Sequence, residues 1–411
     1  MSLIRLTSLA TATVTAALLA AVVAAQSPTA PRTYKITAAD LPAPSEHHQV
    51  PAKVVPRPEG ASLTLPAGFT ATVVASGGFK RPRNAVQAPN GDIFVVDSGP
   101  GSIWVLRDGD KNGTFEDGER SEFATGLKQP FGLVFGKGAL YVAATDQVVK
   151  FPYAAGDLKA SAAPTKLCDL PNGPVGHWTR NIALTPDGRG FYVTVGSWDN
   201  IKPDPDPLRA TVLRFNLDGS GRTVVATGVR NGTGLAFHPT TREAWVTVQE
   251  RGGLGDGLVP DFMAKVVPGR HLGWPYAYIG PHEDPRYKGE QPDLVKKTAT
   301  PEVLFESHSS AMLMTFYTGK SFPAAYRSGA FVALRGSSET ATRTGYKIVY
   351  VPFVKGQPTG EYQDFATGWM LGPDKPEVWG RPVGITQLQD GSLLVVEDGN
   401  GTLWKISYKG A

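Results

Sequence analysis

One pattern recurs from residue 69 almost to the C-terminus. A short apolar strand runs into a Gly/Pro/Asp/Asn turn, then a second apolar strand, and often a third. The copies are "NAVQAPNGDIFVVDSGPGSIWVLRD", "PFGLVFGKGALYVAATDQVVKFPY", "RNIALTPDGRGFYVTVGS", "GTGLAFHPTTREAWVTVQE", "LMTFYTGKSFPAAYRSGAFVALRG" and "PVGITQLQDGSLLVVEDGNGTLWKISY". Asn90-Gly91, Asp187-Gly188 and Asp390-Gly391 sit between alternating apolar runs, where glycine supplies the positive φ a tight hairpin needs. A small sheet of this kind has two apolar faces, and packing copies in a ring hides both. The copies lie roughly 50 to 80 residues apart, the spacing of propeller blades. The pattern predicts an all-β fold over residues 65–411: a six-bladed β-propeller with four-stranded antiparallel blades. A pair of β-sandwiches is the alternative, and six related hairpins fit it poorly. The segment "GFTATVVAS", residues 68–76, precedes the first copy and is expected to complete the last blade beside "TLWKISY".

The chain ahead of the repeat reads differently. In residues 1–25, Arg5 is followed by a Leu/Ala/Val stretch, and Val23-Ala24-Ala25 precedes Gln26, as in an export signal peptide. That predicts a periplasmic or secreted protein. A membrane anchor is the alternative, weakened by Ser8, Thr11, Thr13 and Thr15 within the stretch. No other segment approaches the roughly 18 apolar residues of a span. Residues 26–64 are rich in Pro and Ala with little periodicity and read as a linker or wrapping arm. The net charge of +4 is not gathered into Lys/Arg runs, which argues against a nucleic-acid partner. Cys168 is the single cysteine, so no intramolecular disulfide forms. There is no C-x-x-C-H for a c-type haem, so a redox enzyme of this sequence must pass its electrons to a separate acceptor.

In a propeller, polar residues just ahead of the innermost strands converge from different blades. His177 and Arg180 precede the third copy, Arg230 and Asn231 the fourth, and "QERGG" (249–253) follows that copy's second strand. His308 precedes the fifth copy, Arg335 follows its second strand, and Arg381 precedes the sixth. Singly, each is ordinary loop surface. Together, arginines at a funnel suit an anionic ligand, and a histidine among them suits a general base.

These residues also carry a family resemblance. "GHWTRNIALTPDGRGFYVTVGSWDN", "GVRNGTGLAFHP", "VPDFMAKVVPGRHLGWPYAY", "HSSAMLMTFYTGKSFPAAYR" and "WGRPVGITQLQDGSLLVVED" resemble the soluble PQQ-dependent sugar dehydrogenases, nearest to their sorbosone and aldose dehydrogenase-like branch. The likeness runs from about residue 68 to 408. It implies that His177 is the base that takes the proton of the sugar's anomeric hydroxyl while hydride passes to PQQ. It implies that Arg230, Asn231, His308, Arg335 and Arg381 bind the cofactor, with Arg180 beside the base and Gln129 standing in for a family glutamine. One family arginine is replaced by Val383, and His177 stands three residues before Arg180 where better-known members have four. Backbone carbonyls near Glu250 and Arg251 match the segment that holds the active-site Ca²⁺, and a side-chain ligand such as Glu250 is the alternative. The three carboxylates of PQQ need cationic partners when buried, and Ca²⁺ would act as a Lewis acid. The resemblance thus implies an exported PQQ- and calcium-dependent dehydrogenase of a small sugar or sugar aldehyde.

A second calcium motif is independent of the resemblance. "DGDKNGTFEDGE", residues 108–119, fits D-x-[DN]-x-[DN]-G-x5-E through Asp108, Asp110, Asn112, Gly113 and Glu119. The incoming "SIWVLR" is a strand, so a structural loop between blade strands is expected rather than an EF-hand. A plain hairpin turn is the alternative. Asn112, Asn231 and Asn400 each begin Asn-Gly-Thr, which permits glycosylation in a eukaryotic route and is better explained as turn chemistry. Two further functions compete. A metal-dependent hydrolase of lactonase type would draw on Glu250, Asn231 and Asp199, and a non-catalytic ligand-binding propeller would need no base at His177.

Overall fold

The computed structural model describes residues 31–172, 176–336 and 338–410. The expected signal peptide, residues 1–25, lies outside them, as do residues 26–30 at the start of the arm. Among the described residues no helix is long and apolar enough to cross a membrane.

The repeated hairpins form six antiparallel sheets in chain order. Blade 1 comprises Pro82–Gln87, Ile93–Asp97, Ser102–Leu106 and Arg120–Ala124. Blade 2 comprises Gly132–Gly136, Ala139–Ala143, Gln147–Pro152 and Thr165–Asp169. Blade 3 has Ile182–Leu184, Gly190–Val195, Thr211–Asn216 and Thr223–Thr227, with Arg270–His271 added in parallel on its outer edge. Blade 4 has Asn231–Phe237, Ala244–Gln249, Pro260–Val266 and Val303–Ser307. Blade 5 has Ala311–Phe316, Gly329–Leu334, Lys347–Val354 and Glu361–Ala366. Blade 6 is built from Pro382–Gln387, Leu393–Glu397 and Thr402–Tyr408, and its fourth strand is Phe69–Ser76. That strand pairs antiparallel with the last one, from Phe69 opposite Tyr408 to Ser76 opposite Thr402, as the sequence led one to expect. The chain is a six-bladed β-propeller.

The apolar strand residues pack between blades. Phe94, Val96 and Val105 of blade 1 meet Leu133, Leu140 and Phe151 of blade 2. Tyr141 and Val148 of blade 2 meet Phe191, Val193 and Leu213 of blade 3. Similar layers fill the gaps between blades 3 and 4 and between blades 4 and 5, and one layer spans blades 5, 6 and 1. Both faces of every blade are therefore covered by its neighbours.

Four innermost strands carry a bulge at their entrance, between Pro82 and Asn84, Gly232 and Gly234, Ala311 and Met314, and Pro382 and Gly384. A bulge breaks the ladder and turns a side chain out of the sheet. It sits where each blade meets the axis. Buried polar bonds stitch the inner strands together there: Asn181 Nδ2 donates to the Thr233 carbonyl (2.9 Å), and Thr233 Oγ1 to that of Ala311 (2.7 Å).

Residues 31–58 lie outside the ring. Thr33–Lys35 pairs with the outer strand of blade 5, and Lys53–Val54 pairs with Glu377–Val378. Phe69, on the closing strand, sets its ring against Phe322, Tyr326, Phe365 and Tyr408 and so joins blades 5 and 6. Replacing it by alanine should cost about 3–5 kcal/mol, read as a lower urea midpoint at constant slope. A midpoint unchanged within error would show that ring closure does not depend on this contact.

Candidate active site

Residues 176–181 lead into blade 3. Gly196, just past the neighbouring strand, lets this loop come close: a Cβ there would lie 2.6 Å from the Cβ of His177 and 2.7 Å from Asn231 Oδ1. The His177 backbone N–H donates to the Ser197 carbonyl (3.0 Å). Its Nδ1 stands 2.9 Å from Ser197 Oγ and 3.1 Å from the Ser197 carbonyl. Ser197 Oγ spends its own proton on the Asp199 carbonyl (2.7 Å), so it accepts at Nδ1. This network assigns the Nδ1–H tautomer and leaves Nε2 with a free lone pair. Burial, and next the Arg230 guanidinium, push the His177 pKa well below the usual imidazole value.

His177 borders a cavity of about 360 Å³ with Arg230, Asn200, Gln249, Glu250, Asp261, His308, Ser310, Gln49 and Glu339. Arg230 is fixed by four hydrogen bonds: Nη1 donates to the Gln249 and Glu250 carbonyls (2.9 and 2.8 Å), Nε and Nη2 to Asn200. Asn231 lies beneath, where its amide donates to Gln249 Oε1 (2.9 Å) and its oxygen accepts from Thr179 Oγ1 (3.2 Å). Gln249 in turn donates to Ser310 Oγ (2.8 Å), so one chain of hydrogen bonds links blades 3, 4 and 5 under the cavity. His308 holds a left-handed backbone (φ +60°), with Nε2 at 3.0 Å from the Gly255 carbonyl.

A second cluster carries the charge. Arg83, Arg335 and Arg381, from blades 1, 5 and 6, converge on the fully buried carboxylate of Asp398. Arg381 Nε lies 2.9 Å from that carboxylate, but its N–H is not aimed at it, so the contact is an ion pair without a directed hydrogen bond. Arg81 stands 4.5 Å over the Trp178 ring and Arg83 5.3 Å from it, and Trp178 is the residue after His177. Burial, opposed by Asp398 and reinforced by the neighbouring arginines, brings Arg83 down to about 9. Three guanidinium groups share the one carboxylate of Asp398, with Arg81 close by at Trp178, so the cations of this cluster outnumber the acid they pair with.

Several expected residues land elsewhere. Arg180 does not reach the cavity. Its guanidinium is buried behind the loop and donates to the carbonyls of His177 (2.8 Å), Thr179 (2.9 Å) and Pro171 (2.7 Å), so it shapes the loop that bears His177. Gln129, half-buried in the loop before blade 2, is not among the cavity-lining residues. The Arg251 side chain pairs with Asp284, away from the cavity, and its carbonyl accepts the Val259 N–H (3.4 Å). The Glu250 carbonyl is likewise taken by Arg230. The side-chain alternative fares better: Glu250 Oε2 accepts the Arg251 N–H, while Oε1 is buried with no partner. Burial raises the Glu250 carboxyl to about 7, against the pull of Arg230. An orphan carboxylate oxygen in a polar cavity is a fitting ligand for a hard cation.

The 108–119 loop joins the third and fourth strands of blade 1 and is flanked by strands rather than by an α-helix on either side. Ligand oxygens of Asp108, Asp110 and Glu119 all lie within 4.8 Å of one another. They are held by backbone N–H groups of Asn112, Gly113 and Glu116, at 3.0–3.2 Å. A larger cavity of about 490 Å³ opens beside it, between blades 1 and 6. Its cations Arg107 and Lys405 are already paired with Asp92 and Asp390, so the axial cavity is the better reaction site.

The sequence reading missed Arg81, Arg83, Trp178, Asp398, Asp261, Asn200, Gln49 and Glu339. A signal was available for Arg83: "RPRNAV" and "RPVGIT" open the first and sixth copies in the same register, Pro82 facing Asp97 as Pro382 faces Glu397. Arg83 thus stands where blade 6 has Val383, and it supplies a charge that Val383 lacks.

The fold is shared with propellers of the sugar-dehydrogenase kind. The glucose/sorbosone dehydrogenase family model matches residues 170–344. The chain belongs to the TrAA12-like family, whose model matches residues 63–253 and 289–409. A family AA12 carbohydrate-active enzyme of Trichoderma reesei, in its calcium structure, superposes with a TM-score of 0.74 at 18% identity, over 87% of this chain and 98% of that one. The PQQ domain of pyranose dehydrogenase from Coprinopsis cinerea, in holo form, gives 0.70 at 19%, over 86% and 98%. The PQQ-bound aldose sugar dehydrogenase of Streptomyces coelicolor gives 0.59 at 18%, over 84% and 99%. An uncharacterized protein of Borreliella burgdorferi is 27% identical over 364 residues, 85% of this chain and 92% of that one.

If Arg230 and burial together hold His177 neutral, removing the charge has a definite sign. Arg230→Gln should raise the His177 pKa toward the ordinary value, followed by NMR titration of the ring. A titration that does not move would show that burial alone sets it.

Proposed function

We propose that the protein is a PQQ- and calcium-dependent dehydrogenase of a small sugar or sugar aldehyde, with His177 as its general base. The observation that carries the reading is the pairing of a neutral, oriented histidine with an arginine cluster that has too few acids of its own. The excess charge at Arg81, Arg83, Arg335 and Arg381 fits the carboxylates of PQQ, since burying such anions demands cationic partners. When bound, PQQ supplies the two-electron acceptor and Ca²⁺ the electrophilic pull on it.

The chain's own residues do the rest. Ser197 holds Nδ1–H, which leaves Nε2 of this cavity-lining ring to accept the proton of a substrate hydroxyl. Arg230, rigid on three carbonyls and Asn200, presents positive charge beside the base and keeps it unprotonated at neutral pH. Arg180 sets the shape of the base's loop from behind. His308 contributes a polar wall, and Asn231 positions Gln249 under the cavity. Glu250 Oε1 is the proposed cation ligand. The loop at Asp108, Asp110, Asn112 and Glu119 is proposed as a second, structural calcium site. The acceptor of the electrons is a separate molecule, and the chain is exported. The axial arginines favour this reading over a hydrolytic metal cage, which needs acids in their place.

His177→Ala should lower kcat/KM for dye-coupled sugar oxidation by about 10²–10⁴ while PQQ still binds, seen by its absorbance. Full turnover in that variant would remove the base assignment; no spectral change on adding PQQ and Ca²⁺ to the parent would remove the cofactor. The acid limb of kcat/KM should fall well below pH 6.5, because the base is lost only when His177 takes up a proton. Asp110→Ala should bind one calcium fewer than the parent by calorimetry, and equal stoichiometry would leave the loop a plain turn.

A further inference from the structure

The TrAA12-like model leaves two described segments uncovered, 31–62 and 254–288. They meet each other at the mouth of the cavity. The Ser45 N–H donates to the Leu254 carbonyl (3.0 Å), and the Asp256 N–H to that of Glu46 (3.3 Å). The Asp256 carboxylate accepts the His48 N–H (2.9 Å) and stands 3.0 Å from His48 Nδ1. The contact is close: a Cβ on Gly255, which has φ +113°, would fall 2.3 Å from Ser45 Oγ, and one on Gly257 2.8 Å from Pro42.

The other side of the same arm is gripped by blade 5. His47 Nε2 lies 2.9 Å from Glu339 Oε2, and the Val50 N–H donates to the Ser338 carbonyl (2.8 Å). Arg343 Nη2 donates to the carbonyls of Val50 and Pro51 (3.0 and 3.2 Å). Between these two clasps sits Gln49. Its amide lies 3.4 Å from both carboxylate oxygens of Glu339, and both residues border the cavity with His177 and Arg230.

We propose that residues 45–51 form the outer wall of the reaction cavity and that Gln49 is a substrate-positioning residue. The wall restricts the site to a single sugar unit or an equally small polyol or aldehyde. The Gln49 amide nitrogen donates to Glu339, which leaves the Gln49 carbonyl oxygen to accept from a substrate hydroxyl. A volume of about 360 Å³ lies near the lower bound of ligand cavities. The size restriction rests on the dehydrogenase reading; the wall itself does not.

Two measurements on the full chain test this. In the first, His177→Cys in a Cys168→Ser background places a lone thiol in the cavity, labelled by a small methanethiosulfonate or by a polymer-linked maleimide. Replacing residues 45–51 by a Gly-Ser stretch of equal length should speed the bulky reagent at least about tenfold and leave the small one nearly unchanged, as expected when local opening controls access. Equal bulky-reagent rates in both proteins would overturn the wall. In the second, the PQQ- and Ca²⁺-loaded parent is assayed on glucose, maltose and maltotriose. Its kcat/KM should fall at least about tenfold along the series and flatten in the Gly-Ser variant. Gln49→Ala should raise KM for glucose about fivefold with kcat within about twofold, the signature of a lost binding contact. A flat series in the parent, or an unmoved KM in Gln49→Ala, would overturn the size restriction or the positioning role. No turnover of any of the three counts against the dehydrogenase reading, and the thiol labelling still decides the wall.

Discussion

Everything in this molecule depends on the fact that a four-stranded blade has two apolar faces and no way to cover either alone. The ring solves this only if it closes, because an open end would expose one sheet face and one unpaired edge. Closure is made by Phe69–Ser76, which joins the last strand of the chain to the first part of the propeller. Phe69 then buries its ring among residues of blades 5 and 6. Once the ring is fixed, the innermost strands have no freedom to move radially, and the side chains at their bulges are brought to one axis. The functional cavity is a by-product of closure.

That geometry explains how a site assembled from residues more than 200 positions apart is held rigidly. Asn181, Thr233 and Ala311 are bonded across blades 3, 4 and 5 in the buried interior, where a lost partner would leave a buried polar group unsatisfied at about 1–3 kcal/mol. The same stitching continues upward through Thr179, Asn231, Gln249 and Ser310 to the floor of the cavity. The fold's own satisfaction of its polar groups therefore also orients the reactive layer.

Much of this was legible in the residues, and the failures have physical causes. The turns at Asn90-Gly91, Asp187-Gly188 and Asp390-Gly391 and the alternation around them disclose the blades, because glycine and period-two patterning act locally. Register with "TLWKISY" discloses the closing strand for the same reason. His177, Arg230 and His308, chosen for their position ahead of inner strands, all border the axial cavity. Arg180 was assigned by the same rule, yet its guanidinium turns inward to carbonyls: position along a strand fixes where a Cα lies, not which way a long side chain goes. Arg83 and Asp398 were missed because each had to be compared across copies rather than within one. The arm at 45–51 has no periodicity at all, so its pairing with 254–257 could not be read from a pattern.

The arginine cluster has a consequence for stability as well as for binding. Placing Arg83 and Arg381 in the interior takes their charge out of water, and burial is the first cause of both lowered pKa values. One carboxylate, Asp398, offsets this in part; for several cations it cannot do so fully. A propeller built only to be stable would put apolar residues at these positions, as blade 6 does at Val383. Blade 1 keeps Arg83 at the equivalent bulge instead, at a desolvation cost, and shares the Asp398 carboxylate with Arg335 and Arg381. An anion bound at the axis would offset that cost and, by linkage, stabilise the ring. On the dehydrogenase reading proposed above, the carboxylates of the cofactor are that anion.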